Sequence, residues 1–239
     1  LILSFSFLLV AFPPAKQFFE PCSKDDIKCL STATEKFLEA SKNGIPGTDV
    51  RPVDPLILPS IDVVIDEISG LVFHYKNLNI TGLKNQKVND YKMDTEKKTI
   101  VLKTQVELNI VADITIEFTK KSKTFSGSYT AVANALGTSK YTYSLRINPK
   151  DNLEYFDVGP ETNKCEIVGE PNVRLDAELM KALHKDEDAI SMKPDYTAHS
   201  TSLRQKALCK IIETCYARVM HNLRESAKFL PKSAFFKDI

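Results

Sequence analysis

Ile100–Phe118, which reads IVLKTQVELNIVADITIEF, decides the fold. Apolar or small residues take every second position, and polar residues such as Lys103, Glu107 and Asp113 stand between them. A period of two predicts a β-strand with one buried face and one face in water. At about 3.3 Å per residue the strand would run roughly 60 Å, whereas ordinary strands have up to about ten residues. Since long sheets twist, we expect this one to bend strongly around another element. The buried face would carry Ile100, Leu102, Thr104, Val106, Leu108, Ile110, Ala112, Ile114, Ile116 and Phe118.

The neighbouring segments have the same period. Strands are predicted around Leu71–Tyr75 and Val88–Met93, then from Phe125 to Ala133, from Tyr141 to Ile147 and from Tyr155 to Val158. Gly137 and Asp151-Asn152 are expected to mark turns between the later strands. Successive strands joined by short turns predict an antiparallel meander.

Helical spacing appears at both ends of the chain. A short amphipathic helix is predicted from Ile27 to Leu38, with Ser23 and Asp26 spaced as a capping box and Gly44 as a stop. A second apolar stripe runs from Leu203 to Leu230, after Pro194, and would be about 42 Å long. The predicted fold is therefore α+β: a long C-terminal α-helix wrapped by a strongly curved antiparallel β-sheet, with a short N-terminal helix.

The first residues differ from the rest. Residues 1–12 are almost wholly apolar and then break at Pro13-Pro14, which is typical of a secretory signal whose basic leader is missing. We expect residues 1–15 to be this truncated signal and residues 16–239 to form one ligand-binding domain. A buried helix and a membrane anchor are the alternatives for the leader.

The net charge of +1 makes no electrostatic case for nucleic acid. The mature chain is expected to be soluble and secreted, without stable membrane insertion.

The 5 cysteines agree with an oxidising compartment. On one continuous helix Cys22 and Cys29 would be about 10.5 Å apart along the axis, so a bridge between them requires Cys22 to lie outside the helix. Cys165 and Cys209 are a second candidate pair that would leave Cys215 free. Spacing alone does not choose among the pairings.

The chemical motifs are few. The 4 histidines have no metal-ligand spacing, and neither a nucleophile elbow nor a phosphate-binding or dinucleotide-binding loop occurs. We therefore expect no metal, no cofactor and no enzymatic activity. Asn79-Ile80-Thr81 is an acceptor sequence for N-glycosylation, although an unmodified sequon within a strand is equally consistent.

From Cys22 to the C-terminus the chain resembles the insect haemolymph juvenile-hormone-binding proteins, within the wider Takeout-like family. The most specific block is Lys76–Gln86, KNLNITGLKNQ. The other blocks occur in the same order: Pro21-Cys22, Cys29-Leu30, Gly44–Pro46, Pro52–Leu56, Tyr141–Tyr143, Pro160–Thr162, Gly169–Pro171, Cys209–Ile211 and His221-Asn222.

The resemblance implies a helix wrapped by a curved sheet, with disulfides Cys22–Cys29 and Cys165–Cys209. It also implies that the ligand is juvenile hormone, a sesquiterpenoid with an epoxide at one end and a methyl ester at the other. The tyrosine expected to bind the epoxide oxygen is Tyr141. The other residues expected at the pocket are Tyr143, Phe156, Val219 and Phe235. The disulfide-tethered N-terminal helix would act as a gate through Phe37 and Leu38.

Four functions remain in competition. The first is a monomeric haemolymph carrier that solubilises juvenile hormone and shields it from hydrolysis. The second is a Takeout-like carrier of a fatty acid, another terpenoid or an odorant. The third belongs to another class, a juvenile-hormone esterase, against which the missing nucleophile elbow argues. A secreted interaction protein with a lumen filled by its own side chains is a further alternative.

Overall fold

The computed structural model describes residues 20–239, with the backbone alone described for residues 192–200. The predicted leader, residues 1–15, lies outside the described residues. The helices are α1 (Ile27–Ser41), α2 (Ala177–Lys185) and α3 (Glu187–Phe229), and the strands are β1 (Leu56–Asp66), β2 (Leu71–Thr81), β3 (Lys87–Asp94), β4 (Thr99–Phe118), β5 (Lys123–Ile147) and β6 (Glu154–Leu175).

The predicted central strand is β4. It pairs along its whole length with β5, from Thr99 opposite Thr142 to Phe118 opposite Lys123. On its other edge the first half pairs with β3 and the second half with β2. The six strands form one antiparallel sheet in the order β1-β2-β4-β5-β6, with β3 attached to β4. Burial alternates through most of β4, as the sequence period predicts.

The sheet curls around α3, so that both edge strands contact the same helix. From the β1 edge the carbonyl oxygen of Ile65 accepts a hydrogen bond from Lys206 Nζ at 3.1 Å. From the β6 edge Cys165 is bonded to Cys209, and Arg224 Nε donates to the carbonyl oxygen of Val158 at 3.1 Å. The inward faces of the strands and one side of α3 enclose the main core. The α+β prediction is confirmed.

Gly137 does not mark a turn, contrary to the sequence prediction. Strand β5 passes through it without interruption and pairs it with Thr104 of β4 and Cys165 of β6. The glycine is needed for a different reason: a Cβ atom here would lie 2.2 Å from Cζ of Tyr216 on α3. The backbone of β5 therefore lies directly against the Tyr216 ring at this position.

The long helix begins earlier than predicted. Helix α3 starts at Glu187, and the side chain of Asp186 caps it by accepting hydrogen bonds from the amides of Asp188 and Ala189. Lys123 of β5 forms ion pairs with Asp186 and Asp188 and so anchors this end of the helix to the sheet. This charged first turn lacks the apolar stripe on which the sequence prediction rested.

The N-terminal helix also begins differently. Asp26, not Ser23, is the N-cap, and its side chain accepts a hydrogen bond from the amide of Cys29 at 3.0 Å. Ser23 instead binds the carboxylate of Asp238 near the C-terminus. The capping box is therefore absent, and the serine ties the two ends of the chain together.

One histidine is held between two carboxylates on the outer face of the sheet. His74 Nδ1 lies 2.8 Å from Asp62 and Nε2 lies 2.7 Å from Glu117, on the strands at either side. Burial lowers the pKa of His74, but the hydrogen bonds and charges of Asp62 and Glu117 outweigh it, so that the pKa is raised overall. The protonated imidazole thus stabilises the folded sheet.

We expect His74→Gln to remove a pH-dependent part of the stability. A raised folded-state pKa gives stabilisation that is complete below the ordinary histidine pKa of about 6.5 and is lost as the pH rises through the folded-state pKa. For partly exposed ion pairs this contribution to the free energy of unfolding is about 1 kcal/mol or less. Urea titrations across this pH range measure it, with exposed His184→Gln as the control. Identical pH profiles for wild type and His74→Gln would refute the assignment.

Candidate functional site

A cavity of about 120 Å³ lies between the first turns of α1, the β3-β4-β5-β6 part of the sheet, α3 and the C-terminal tail. Ordinary packing leaves few voids larger than a water molecule, so a space of this size is not a packing defect. Its lining is aliphatic and aromatic for the most part. The cavity is separate from the main core, and the side chains around it form a second, smaller apolar cluster.

The structure brings four of the predicted site residues together at this cavity: Tyr141, Tyr143, Phe156 and Phe235. Three of the rings pack edge to face in a chain. The centroids of Tyr143 and Phe156 are 5.4 Å apart at an interplanar angle of 78°, and those of Phe156 and Phe235 are 6.0 Å apart at 75°. Such contacts fix the ring orientations, so this wall of the cavity is preformed.

The inward face of β5 ends sooner than its sequence period suggests. Tyr141 and Tyr143 are buried, but Leu145 is 36% exposed and Ile147 is 65% exposed. A strict period of two along the strand would place both residues on the same buried face as the two tyrosines. They lie at the end of a 25-residue strand, where the alternation of burial seen earlier in the strand has stopped.

Val219, predicted at the pocket, is not among the residues that line this cavity. It is buried in the main core, whereas the next residue, Met220, faces the cavity with 1% exposure. Leu223 and Ala227 follow Met220 at spacings of three and four and also line the cavity. One step along a helix rotates the side chain by about 100°, because a turn has 3.6 residues, so the apolar stripe alone did not fix which residue faces the space.

Helix α1 contacts the cavity through residues other than the predicted ones. Phe37 and Leu38, predicted as the gate contacts, are fully buried in the main core. The residues of α1 that line the cavity are Leu30, Ala33 and Thr34. All five share one side of the helix by their spacing, but the cavity extends along only its first turns. The disulfide-tied end of α1, not its far end, is therefore the part that covers the cavity.

The C-terminal tail closes the cavity beside that helix. The amide of Cys22 donates to the carbonyl oxygen of Phe235 at 3.0 Å, and the amide of Lys237 donates to the carbonyl oxygen of Cys22 at 3.1 Å. Cys22 is bonded to Cys29, and the second disulfide joins Cys165 to Cys209, so both implied pairings are confirmed.

The buried thiol of Cys215 is free, and burial raises its pKa to about 12. It is therefore protonated and unreactive at neutral pH.

The hydroxyl of Tyr141 is the most distinctive polar group of the site. Tyr141 is 9% exposed. Among the described residues, its hydroxyl has no hydrogen-bond partner. Burial raises the pKa of Tyr141, so the phenol keeps its proton and is a donor at any physiological pH. Its oxygen is not among the fully enclosed unpartnered atoms of the described residues, so the hydroxyl is open to the cavity. The geometry therefore offers one O–H to an acceptor atom of a ligand.

Charge at the cavity is sparse. Glu20 is the one acidic residue among its described lining residues, and these include neither lysine, arginine nor histidine. Lys98 lies outside this lining, with its Nζ 5.7 Å from the centroid of the Tyr143 ring. A ligand with a carboxylate would meet no partner of opposite charge from these residues, whereas a neutral ligand needs none.

Several lining residues, including Tyr91 on β3, are not among the predicted site residues. Val88 and Tyr91 both line the cavity although they are three positions apart. Strict alternation would place them on opposite faces. The register between β3 and β4 shifts between Val88 and Asp90, which returns Tyr91 to the inner face. No residue type in this stretch predicts the bulge.

A group of possible metal ligands lies elsewhere, where the link after α1 meets α3. Ligand atoms of Asp49, His221 and Glu225 lie within 4.8 Å of one another. Asp49 is bound by the guanidinium of Arg51, and Glu225 is bound by Lys228. The carboxylates are thus already neutralised, and the group serves to fasten the link to the helix.

Asn79 has its side chain on the exposed outer face of β2, between Ile57 of β1 and Val111 of β4. Both neighbours are aliphatic and more than half exposed. A sugar chain on Asn79 would reach solvent and shield them. N-glycosylation at this position stays a prediction.

Within residues 20–239, no helix combines the length and the apolar character needed to cross a lipid bilayer. The longest helix, α3, carries charged residues throughout its sequence.

Comparisons with known proteins agree with this fold. The family described as haemolymph juvenile hormone binding protein matches residues 1–158. The juvenile hormone-binding protein of Manduca sexta is 52% identical over 221 residues, which cover 92% of this chain and 96% of that protein. The crystal structure of Takeout 1 from Epiphyas postvittana has the same fold, with a TM-score of 0.71, 17% identity and coverage of 91% and 99% of the two chains. On these grounds the chain belongs to the haemolymph juvenile hormone binding protein family.

Proposed function

We propose that this protein is a secreted, monomeric carrier that binds juvenile hormone in the cavity and shields it from hydrolysis in the haemolymph. The observation that carries the proposal is the Tyr141 hydroxyl, a donor without a protein partner in a largely apolar space. The hormone has a neutral terpenoid chain and an epoxide oxygen that accepts hydrogen bonds. Burial of the chain contributes about 25 cal/mol per Å² of apolar surface, and the phenol orients the oxygen.

A neutral ligand is favoured over a fatty acid. The described lining offers phenol hydroxyls but no cationic side chain, so the carboxylate of a fatty acid would lose its hydration without gaining an ion pair. An epoxide and an ester have no charge to compensate. The broader alternative, a carrier of another hydrophobic molecule, is tested by competition: a long-chain fatty acid should not displace the labelled hormone, whereas unlabelled hormone should.

Binding is proposed to occur without hydrolysis. Thr34, an aliphatic hydroxyl at the cavity, donates to the carbonyl oxygen of Leu30 within its own helix, and the described lining contains no histidine to activate it. Incubation with labelled hormone should therefore return intact ester. Release of the free acid would instead favour the esterase.

Secretion is proposed from the two disulfides, which persist in oxidising compartments, together with the family assignment. The segment predicted as the signal lies outside the described residues and does not enter this argument.

Tyr141→Phe is expected to weaken juvenile hormone binding about tenfold while the fold is retained. The substitution removes the O–H and leaves the ring, so the loss is that of one hydrogen bond, about 1–1.5 kcal/mol. Equilibrium binding of labelled hormone to the oxidised protein measures the effect.

Thermal unfolding of the same preparations serves as the control for Tyr141→Phe. The melting temperatures of variant and wild type should agree, since the hydroxyl has no protein partner to lose. Equal hormone affinity in the two proteins would remove Tyr141 from its proposed role.

A further inference from the structure

A second phenol faces the cavity from the opposite side of β4. Tyr91 on β3 is paired with Leu102 of β4, and the next inward row along β4 pairs Ile100 with Met93 on one side and with Tyr141 on the other. Tyr91, Ile100, Leu102 and Tyr141 all line the cavity. The two tyrosines thus approach the same end of the space from two different strands.

The hydroxyl of Tyr91 has a weak hydrogen-bond acceptor. Its acceptor is the thioether sulfur of Met93 at 3.6 Å. Thioether sulfur is a weak acceptor, so little is lost when the hydroxyl turns to a better one. Burial raises the pKa of Tyr91, and the neighbouring phenols of Tyr141 and Tyr143 raise it further. The group therefore remains a neutral donor.

The ring of Tyr91 is held in place by the tail that closes the cavity. Its centroid lies 6.0 Å from that of Phe236, with an interplanar angle of 34°. Phe236 also lines the cavity and packs against Phe156 at 5.9 Å. A ring fixed in this way presents its hydroxyl without a large loss of side-chain freedom on binding.

We propose that Tyr91 is a second hydrogen-bond donor of the site, and that it acts with Tyr141 on one ligand oxygen, the epoxide. This rests on the proposed function. An ether-type oxygen has two lone pairs and accepts two hydrogen bonds, so two converging O–H groups satisfy it. The pair determines specificity, because a ligand with an alkene in place of the epoxide leaves two desolvated donors unpaired.

The test compares juvenile hormone III with methyl farnesoate, which carries the same methyl ester and chain but an alkene in place of the epoxide. Equilibrium affinities are measured for wild type, Tyr91→Phe, Tyr141→Phe and the double variant. Tyr91→Phe should weaken binding of the epoxide about fivefold and change binding of the alkene less than twofold. The double variant should bind the two ligands with nearly equal affinity.

Tyr155→Phe is the matched control. Its hydroxyl donates to Asp151 at 2.6 Å outside the cavity lining, so its loss should leave the ratio of the two affinities as in wild type. A Tyr91→Phe variant that binds both ligands as wild type does, or weakens both equally, would overturn the inference and leave the carrier function standing. A wild-type protein that binds neither ligand would overturn both.

Discussion

Gly137→Ala is expected to lower the free energy of unfolding by about 3 kcal/mol, at the upper end of the cost of overpacking a core. The added methyl carbon would lie 2.2 Å from Cζ and 2.3 Å from Cε2 of Tyr216. Tyr216 is 2% exposed and packed between the sheet and α3, so its ring has little room to move. Without this contact, the same substitution would stabilise the protein by about 0.4–1 kcal/mol through the unfolded chain.

A double-mutant cycle isolates the contact between Gly137 and Tyr216. Tyr216→Leu shortens the side chain and removes Cζ and the hydroxyl. In that background Gly137→Ala should cost less than about 1 kcal/mol, so the two substitutions should be strongly non-additive. Urea unfolding of the four proteins gives the coupling energy. A cost for Gly137→Ala that is the same in both backgrounds would contradict the proposed close approach.

Removing the Cys165–Cys209 disulfide is expected to cost about 4 kcal/mol, the loop-closure value for a bridge of this span. The bridge joins β6 to α3 across a separation of 44 residues and so fastens one edge of the sheet to the helix that it encloses. Cys165→Ala with Cys209→Ala avoids leaving an unpaired thiol. Chemical denaturation of the oxidised wild type and the double variant measures the difference.

The other disulfide is the matched comparison for Cys165–Cys209. Cys22 and Cys29 are separated by 7 residues, for which the same relation gives about 2 kcal/mol. Cys22→Ala with Cys29→Ala should therefore be the less damaging pair. A larger loss from the short bridge than from the long one would show that local contacts of Cys22 with the tail outweigh loop entropy.

Prediction from the sequence was most accurate where the burial of side chains repeats with one regular period. The alternation in β4 and the stripe on the later part of α3 follow from the geometry of strands and helices, and the structure has both. Tyr141 and Tyr143 were placed on an inward face by the same rule. The rule fails where the period changes without a change in composition, as at the bulge that turns Tyr91 inward.

The differences between prediction and structure concern contacts between elements. Gly137 is typical of a turn in isolation, yet the constraint on it comes from a tyrosine 79 positions later on another element. Val219 and Met220 are both apolar residues on the same helix, and only the position of the sheet decides which one faces the cavity. Phe37 and Leu38 are similar cases. One side of α1 lines the cavity in its first turns and packs in the main core further along the helix.

The amino-acid sequence alone determined the class of fold, the long curved strand, the N-terminal helix and the family resemblance, because these depend on local periodicity and on contiguous blocks of residues. The tertiary structure alone decided where the cavity ends, which phenols line it and why β5 runs unbroken past α3. Those properties depend on distances between residues far apart in the chain, and local periodicity carries no information about such distances.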